Sequence, residues 1–204
     1  LAADMSGNLA IGPRRIRESF RRQLARFKAE ALEQLGGVPT VIGEFGIPFD
    51  LREKQAYRTG DFRAQVAAMD RSFRAIEDNL LSCTLWNYTR DQQTDPSDVN
   101  SGGRALEAVV RPYPRAVAGE PLCMAFDVKH RVFEFEFRHD STVDAPTEVF
   151  VPRYQYPEGC AVEVSDGTYA LDPAGQTLTY RHSAHRATHT IRLSPPSPRY
   201  RSDP

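Results

Sequence analysis

The stretch Pro39-Thr40-Val41-Ile42-Gly43-Glu44-Phe45-Gly46-Ile47-Pro48 decides the fold of the first half of this 204-residue chain. Its apolar run, over 38–45, is typical of a buried parallel β-strand. The run ends in a single carboxylate, Glu44, which lies between two glycines. In an α/β barrel the catalytic groups lie at the C-terminal ends of the strands, because the loops there form the active site. The stretch therefore predicts a strand that presents a catalytic carboxylate.

Amphipathic helices flank this strand. Apolar residues recur every three or four positions over 13–35 and again over 62–80, and each pattern predicts one buried helix face. The segment 47–60, which contains Pro, Asp and Gly, predicts a loop. Residues 82–88 form the next apolar run and predict a second strand, and residues 103–110 predict a further helix. Alternating helices and buried strands imply a parallel sheet covered by helices. Because two such strands leave faces and edges open, the first half is expected to be part of a larger sheet.

Past Gly119 the periodicity changes from helical to alternating. Phe133, Phe135 and Phe137 alternate with charged residues over 131–138, which is typical of a half-buried antiparallel strand. Further strands are expected at 124–128, 148–151, 161–164, 176–180 and 189–193, separated by turn residues. Short strands at this spacing predict a small β-sandwich.

Composition excludes several functional classes. Lysine and arginine total 26 and the acidic residues 27, so a net charge of −1 gives no general attraction to nucleic acid or to anionic membranes. The arginines of the first predicted helix interleave with glutamates, which favours a solvated helix face over a nucleic-acid site. The sequence has no apolar run long enough for a membrane span and no signal-peptide pattern. We therefore expect a cytoplasmic or vacuolar protein.

Two segments resemble a known family. Val41-Ile42-Gly43-Glu44-Phe45-Gly46-Ile47-Pro48 resembles the strand-seven nucleophile segment of glycoside hydrolase family 5, and Thr84-Leu85-Trp86-Asn87-Tyr88 resembles its strand-eight segment. The resemblance is closest to the fungal endoglycoceramidase-related branch, which includes glucosylceramidases and steryl β-glucosidases. Segments 57–61, 102–108 and 111–114 resemble the same branch in the same order.

The resemblance implies a retaining glycosidase that cleaves the β-glucosidic bond of glucosylceramide or a steryl glucoside without a cofactor. Glu44 would be the nucleophile, surrounded by hydrogen-bond donors that keep it ionised. Trp86 would offer a flat face to the sugar, and Asn87 and Tyr88 would bind its hydroxyls. The expected partner is the glycolipid or steryl glucoside, with transient contact to a membrane surface and no nucleic acid. The oligomeric state stays open.

The domain prediction follows from the pattern and the resemblance together. Residues 1–112 are predicted to be the C-terminal part of a (β/α)8 TIM barrel, and residues 113–194 a small antiparallel β-sandwich. The segment 195–204, rich in Pro, Ser and Arg, is predicted to be a disordered tail. The chain opens on Leu1, and we expect it to be the back end of a longer enzyme.

Two departures from the family leave the activity of the chain open. The family's acid/base glutamate belongs to an Asn-Glu pair, and no such pair occurs here. The loop that follows strand eight is also short, so the chain by itself is not expected to turn over substrate. The alternative is an inactive, truncated or pseudoenzyme chain whose sandwich packs against another domain or binds lipid or sugar.

Three nearby histidines, His182, His185 and His189, invite a metal interpretation. Structural zinc sites need four converging ligands, and no cysteine or carboxylate joins these residues in the local sequence. We therefore interpret them as surface histidines and predict no metal site. Asp166 and Asp172 are interpreted as turn residues. Trp86 would by default belong to the core, and its place at a strand end is the reason to consider a sugar platform.

Overall fold

The computed structural model describes residues 2–3, 7, 9–87, 95–98 and 101–196. The chain divides into two compact units, Leu1–Val109 and Val110–Pro204, whereas the sequence placed the boundary after residue 112. None of the helices in the described part combines the length and apolarity that a bilayer span requires. Residues 197–204 of the predicted tail lie outside the described residues.

The first unit contains helices and short strands. Its helices are α1 (Pro13–Leu35), α2 (Leu51–Thr59), α3 (Arg63–Asp78) and α4 (Leu106–Val109). Its strands are β1 (Ala2–Ala3), β2 (Leu9–Ala10), β3 (Val41–Phe45) and β4 (Ser82–Leu85). The predicted helix over 13–35 is confirmed: Pro13 suits the first turn, and Gly36 ends the helix in the left-handed conformation at φ 68°.

Strands β3 and β4 pair in parallel, as the sequence predicted. Met69 of α3 forms a small core with Ala105 and Ala108 of the segment around α4, and Phe45 of β3 and Leu85 of β4 pack against this core. The Phe45 ring meets the Phe73 ring of α3 edge-on, with centroids 5.0 Å apart. This contact holds the C-terminal end of β3 against α3 and so positions the residues on either side of Phe45.

Two details of the first unit differ from the prediction. Helix α2 lies within the segment 47–60, which the sequence indicated as a loop, and Arg52, Glu53 and Lys54 have left-handed backbone angles at its start. The helix expected over 103–110 is only the four-residue α4. Both segments are short, so their periodicity carries little information.

The second unit is built from antiparallel strands. These are β5 (Tyr113–Ala116), β6 (Gly119–Asp127), β7 (Val132–His139), β8 (Thr147–Phe150), β9 (Ala161–Val164), β10 (Thr168–Asp172), β11 (Thr177–Arg181) and β12 (Thr188–Ser194). They form two four-stranded sheets, in the orders β10-β11-β8-β5 and β6-β7-β12-β9. One hydrophobic core contains residues of both sheets, including Phe135 and Ile191 of one sheet and Val149 and Leu178 of the other. The predicted β-sandwich is confirmed.

The turn from β9 to β10 depends on Gly167, at φ 66°. A Cβ atom at this position would collide with the backbone carbonyl of Arg181. We expect Gly167→Ala to lower the free energy of unfolding by about 1–3 kcal/mol, because the substitution adds both backbone strain and a collision. Equilibrium urea denaturation measures the change.

Gly159→Ala is the matched control for this prediction. Gly159 also has a positive φ, 85°, but open space surrounds the position where its Cβ would lie. This substitution should therefore cost only the backbone strain and less than Gly167→Ala. Equal losses in the two variants would show that the collision with Arg181 does not matter.

Candidate active site

The C-terminal ends of β3 and β4 meet at one edge of the parallel pair. Phe45 of β3 lies opposite Leu85 of β4, and the backbone N–H of Trp86 donates to the carbonyl oxygen of Phe45 at 2.8 Å. Gly46 passes so close to the carbonyl of Trp86 that any side-chain carbon at position 46 would collide with it. The chain therefore needs glycine at position 46 to bring the segment after Glu44 against the segment that contains Trp86.

A bulge sets the direction of Glu44. Between the paired positions Ile42–Cys83 and Phe45–Leu85, β3 contains two residues, Gly43 and Glu44, and β4 contains only Thr84. The Thr84 hydroxyl donates to the carbonyl oxygen of Gly43 and closes the bulge. Bulges redirect a side chain relative to the sheet. The result is that Ile42 and Phe45 are partly buried, while Glu44 between them is exposed.

The predicted sugar-binding residues are only partly described. Trp86 is 62% exposed, so it does not belong to the core, and its indole face is open to solvent. Asn87 follows it through a cis peptide bond and is also exposed. Tyr88 lies outside the described residues. Glu44, Trp86 and Asn87 therefore come together at the same end of the parallel pair.

The resemblance implies hydrogen-bond donors around the Glu44 carboxylate. Within the described ranges, no donor lies at hydrogen-bonding distance from the Glu44 carboxylate. The donor-rich surroundings that would keep a nucleophile ionised therefore stay a prediction. The chain does supply the carboxylate and an adjacent flat aromatic side chain.

Two segments that carried the family resemblance meet in the first unit. The guanidinium of Arg104 lies over the rings of Tyr57 and Phe62, at 5.1 and 5.8 Å from their centroids. Contacts of this kind are cation–π interactions. They join the segments 57–61 and 102–108, which are far apart in the sequence, next to the region that follows β3.

A cavity of about 760 Å³ opens beside the segment after β3 and includes Ile47, Arg52 and Asp61 in its lining. Asp61 is engaged by Arg63, whose guanidinium hydrogen bonds lower the pKa of that carboxyl to about 2. A carboxylate that stays ionised at neutral pH cannot protonate a leaving group. Asp61 is therefore unsuited to replace the missing acid/base glutamate.

The interpretation of His182 and His189 as surface histidines is wrong. His189 is fully buried in β12, and His182 is partly buried directly after β11; only His185 of the three is exposed. The Nδ1 atom of His189 lies 2.8 Å from Oδ2 of Asp166, so a carboxylate does join the group. Asp166 is thus more than the turn residue that the sequence indicated.

Hydrogen bonds determine the charge of this group. Burial opposes ionisation of Asp166, but the N–H of Ser183, the His189 ring and the Tyr180 hydroxyl all donate to it and lower its pKa to about 2. Burial, together with the neighbouring His189 and His139, lowers the pKa of His182. At neutral pH the group therefore combines an ionised Asp166 with a neutral His182 ring.

The sequence interpretation did not include His139, the last residue of β7. His189 lies opposite Phe137 in the β7–β12 pairing, so His139 is two residues along β7 and on the same face. Its Nδ1 atom is 3.0 Å from Nε2 of His189, and its ring stacks on His182 with centroids 4.8 Å apart. The sequence offers no signal for this contact, because it depends on the register of β7 against β12.

Comparison with known proteins shows that the chain is similar to proteins of one family. Residues 111–193 match the glycoside hydrolase family 5 C-terminal domain. A glucosylceramidase from Rhizopus delemar is 31% identical over 206 aligned residues, covering 84% of this chain and 30% of that protein. An ergosteryl-beta-glucosidase from Saccharomyces cerevisiae is 25% identical, covering 85% of this chain and 33% of that protein.

The solved structures agree with the sequence comparison. Crystal structures of sterylglucosidase 1 from Cryptococcus neoformans match with a TM-score of 0.79 and 28% identity, over 91% of this chain and 32% of theirs. The chain is thus similar to members of glycoside hydrolase family 5. It spans about a third of the length of the relatives it matches.

Proposed function

We propose that this chain is the C-terminal portion of a retaining β-glucosidase whose substrate is a lipid-linked glucoside, either glucosylceramide or a steryl glucoside. The first unit then supplies the last strands and helices of a (β/α)8 barrel, and the second unit is the β-sandwich that follows it. The observation that carries the proposal is the meeting of exposed Glu44 and exposed Trp86 at the shared C-terminal end of two parallel strands. Active sites of α/β barrels lie at that end.

The surface of the first unit supports the barrel interpretation. Helix α1 has an apolar stripe but no fully buried side chain, and Phe27, Leu35 and Val41 are 41%, 62% and 56% exposed. Parallel sheets need cover on both faces. Further β-α units in a longer protein would bury these side chains and would complete the sheet on either side of β3 and β4.

The proposed chemistry is a double displacement. The Glu44 carboxylate attacks the anomeric carbon and forms a covalent glycosyl-enzyme, while an acid about 5–5.5 Å away protonates the departing oxygen. Water then releases glucose with the same group acting as base. Trp86 presents its face to the C–H side of the pyranose. The chain has no Asn-Glu pair like the family's, so the proposal assigns the acid to a residue outside these 204.

The substrate class rests on the relatives. One relative is a glucosylceramidase and another an ergosteryl-beta-glucosidase, and both align over most of this chain. The two lipids share a β-linked glucose, which is the part of the substrate that Glu44 and Trp86 would contact. We therefore propose that the substrate contains a β-glucosyl group linked to a lipid alcohol.

Covalent trapping tests the proposal directly. The complete protein from its native source is incubated with a 2-deoxy-2-fluoro-β-glucoside that carries a good leaving group, which accumulates the glycosyl-enzyme because the fluorine slows its hydrolysis. Digestion and mass spectrometry should find the fluoroglucosyl group on the peptide that contains Glu44. Labelling of a different carboxylate would overturn the assignment, and no labelling of a protein that hydrolyses β-glucosides would exclude the covalent mechanism.

A second candidate is an inactive chain whose sandwich packs against another domain or binds lipid or sugar. The missing Asn-Glu pair favours it. The intact mass of the native protein separates the two candidates. A mass well above 22.9 kDa is expected for the enzyme, and a mass of 22.9 kDa would favour the inactive chain.

A further inference from the structure

Three histidines of the β-sandwich form a compact group. His139 ends β7, His182 follows β11, and His189 lies within β12. One ring nitrogen of each lies within 4.8 Å of those of the other two. We call these three residues the histidine cluster. It belongs to the second unit and contains none of the residues assigned to glycoside hydrolysis.

The carboxylate of Asp166 orients the central ring of the cluster. The Nδ1 atom of His189 lies 2.8 Å from Oδ2 of Asp166, and the ring donates its Nδ1 proton to this carboxylate. The Nε2 atom of His189 then has its lone pair directed toward Nδ1 of His139, 3.0 Å away. Tyr180 and the N–H of Ser183 fix Oδ1 of Asp166 at 2.9 and 2.8 Å. A histidine whose second nitrogen is bound to a carboxylate is the usual arrangement at protein metal sites.

The nitrogen atoms of His139 and His189 are already at a suitable separation. Their distance is 3.0 Å, and two nitrogens each about 2.0–2.1 Å from a tetrahedral zinc ion are roughly 3.3 Å apart. A metal ion would replace the proton that these two nitrogens share. His182 stacks on His139 with centroids 4.8 Å apart and is tilted by 39° against His189 at 4.7 Å. Its ring nitrogen lies within 4.8 Å of the other two, so binding one ion requires the His182 side chain to turn toward them.

An opening to solvent reaches the cluster. A cavity of about 250 Å³ is lined by His139, His182, Asp140 and Asp144, among other residues. A metal ion can enter by this route, and a water molecule or one of the two aspartates can complete the fourth position. Two cations lie near the cluster: Arg186, whose Nε is 3.9 Å from Oδ2 of Asp166, and Arg181, which lines the cavity.

We propose that His139, His182 and His189 bind one divalent transition-metal ion, with zinc the best match, and that Asp166 positions His189 for this role. Three imidazoles with an open fourth position suit zinc better than calcium or magnesium, which prefer oxygen ligands. The bound ion joins the end of β7 to the β11–β12 connection. Zinc at this place stabilises the sandwich and takes no part in glycoside cleavage.

Metal titration of the untagged, complete protein tests the proposal. The protein is first treated with a chelator and dialysed, and zinc chloride is then added in a calorimeter. We expect one saturable equivalent per chain and a rise in the unfolding temperature with zinc. Cobalt(II) should give the intense visible absorption of a tetrahedral site. Absence of saturable zinc binding would overturn the proposal and leave the cluster as a packing group.

Variants locate the site. His182→Ala removes a partly buried ligand and should abolish the cobalt spectrum, while His185→Ala, an exposed histidine three residues away, should leave it unchanged. Asp166→Asn should weaken zinc affinity by about 10- to 100-fold, because Asp166 acts through His189. Circular dichroism without metal checks that each variant is folded. Equal zinc affinity in the His182 and His185 variants would exclude the cluster as the site.

Discussion

Glu44→Gln in the complete protein is expected to lower kcat for a β-glucoside by about 10⁴-fold or more, the scale of loss seen when a covalent catalyst is removed. Glutamine has nearly the shape of glutamate but cannot attack the anomeric carbon. Glu44 is exposed at the end of β3, so the substitution disturbs no packing and the unfolding temperature should not change. Initial rates on glucosylceramide and on a steryl glucoside measure the effect.

Glu33→Gln is the matched control, because Glu33 is an exposed glutamate on α1 and the change in charge is the same. It should retain the activity of the parent. Glu44→Ala adds a further test: with azide present, a retaining enzyme that lacks its nucleophile forms the α-glucosyl azide from a β-glucoside. Turnover by Glu44→Gln close to the parent rate, or a β-glucosyl azide product, would be incompatible with Glu44 as the nucleophile.

Phe135→Ala is expected to lower the free energy of unfolding of the β-sandwich by about 3–5 kcal/mol. Phe135 is 2% exposed and lies between Phe133 and Phe137, with ring centroids 6.5 and 5.8 Å away. Removing its ring leaves a cavity between the two sheets, and the surrounding strands can close it only in part. Hydrogen exchange at the amides of β7 measures the loss within this unit.

Phe27→Ala is the control for the loss of a phenyl ring. Phe27 is 41% exposed on α1, so its removal from the isolated chain should change stability by less than about 0.5 kcal/mol. A loss below about 1 kcal/mol for Phe135→Ala would mean that the three phenylalanines do not form the centre of the sandwich.

Strong periodicity made most elements predictable. The apolar stripe with Pro13 and Gly36 at its ends predicted α1 to the residue, and the alternating phenylalanines predicted β7 and the sheet face that it buries. Both patterns extend over enough residues that single residues breaking the pattern do not obscure its period. In the sandwich, two strands without such a pattern were missed. Pro114 lies in β5, which is an edge strand where a missing N–H is tolerated, and β10 is mostly exposed.

The candidate active site was predictable in type but not in geometry. The sequence indicated Glu44 and Trp86 because each follows an apolar run at the end of a strand. The bulge at Gly43 and Glu44 and the close approach of Gly46 to Trp86 depend on the pairing of β3 with β4. Strand register is a long-range property, and spacing within one strand does not reveal it.

The sequence by itself determined the order of the main helices and strands, the change from helical to alternating periodicity, and the carboxylate at the end of β3. These follow from local side-chain chemistry, because burial of one helix face or one strand face leaves a periodic trace. Only the tertiary structure decided that His139 meets His182 and His189, and that Asp166 holds His189. The β7–β12 pairing places His139 and His189, 50 positions apart in sequence, on the same sheet face, where their ring nitrogens lie 3.0 Å apart.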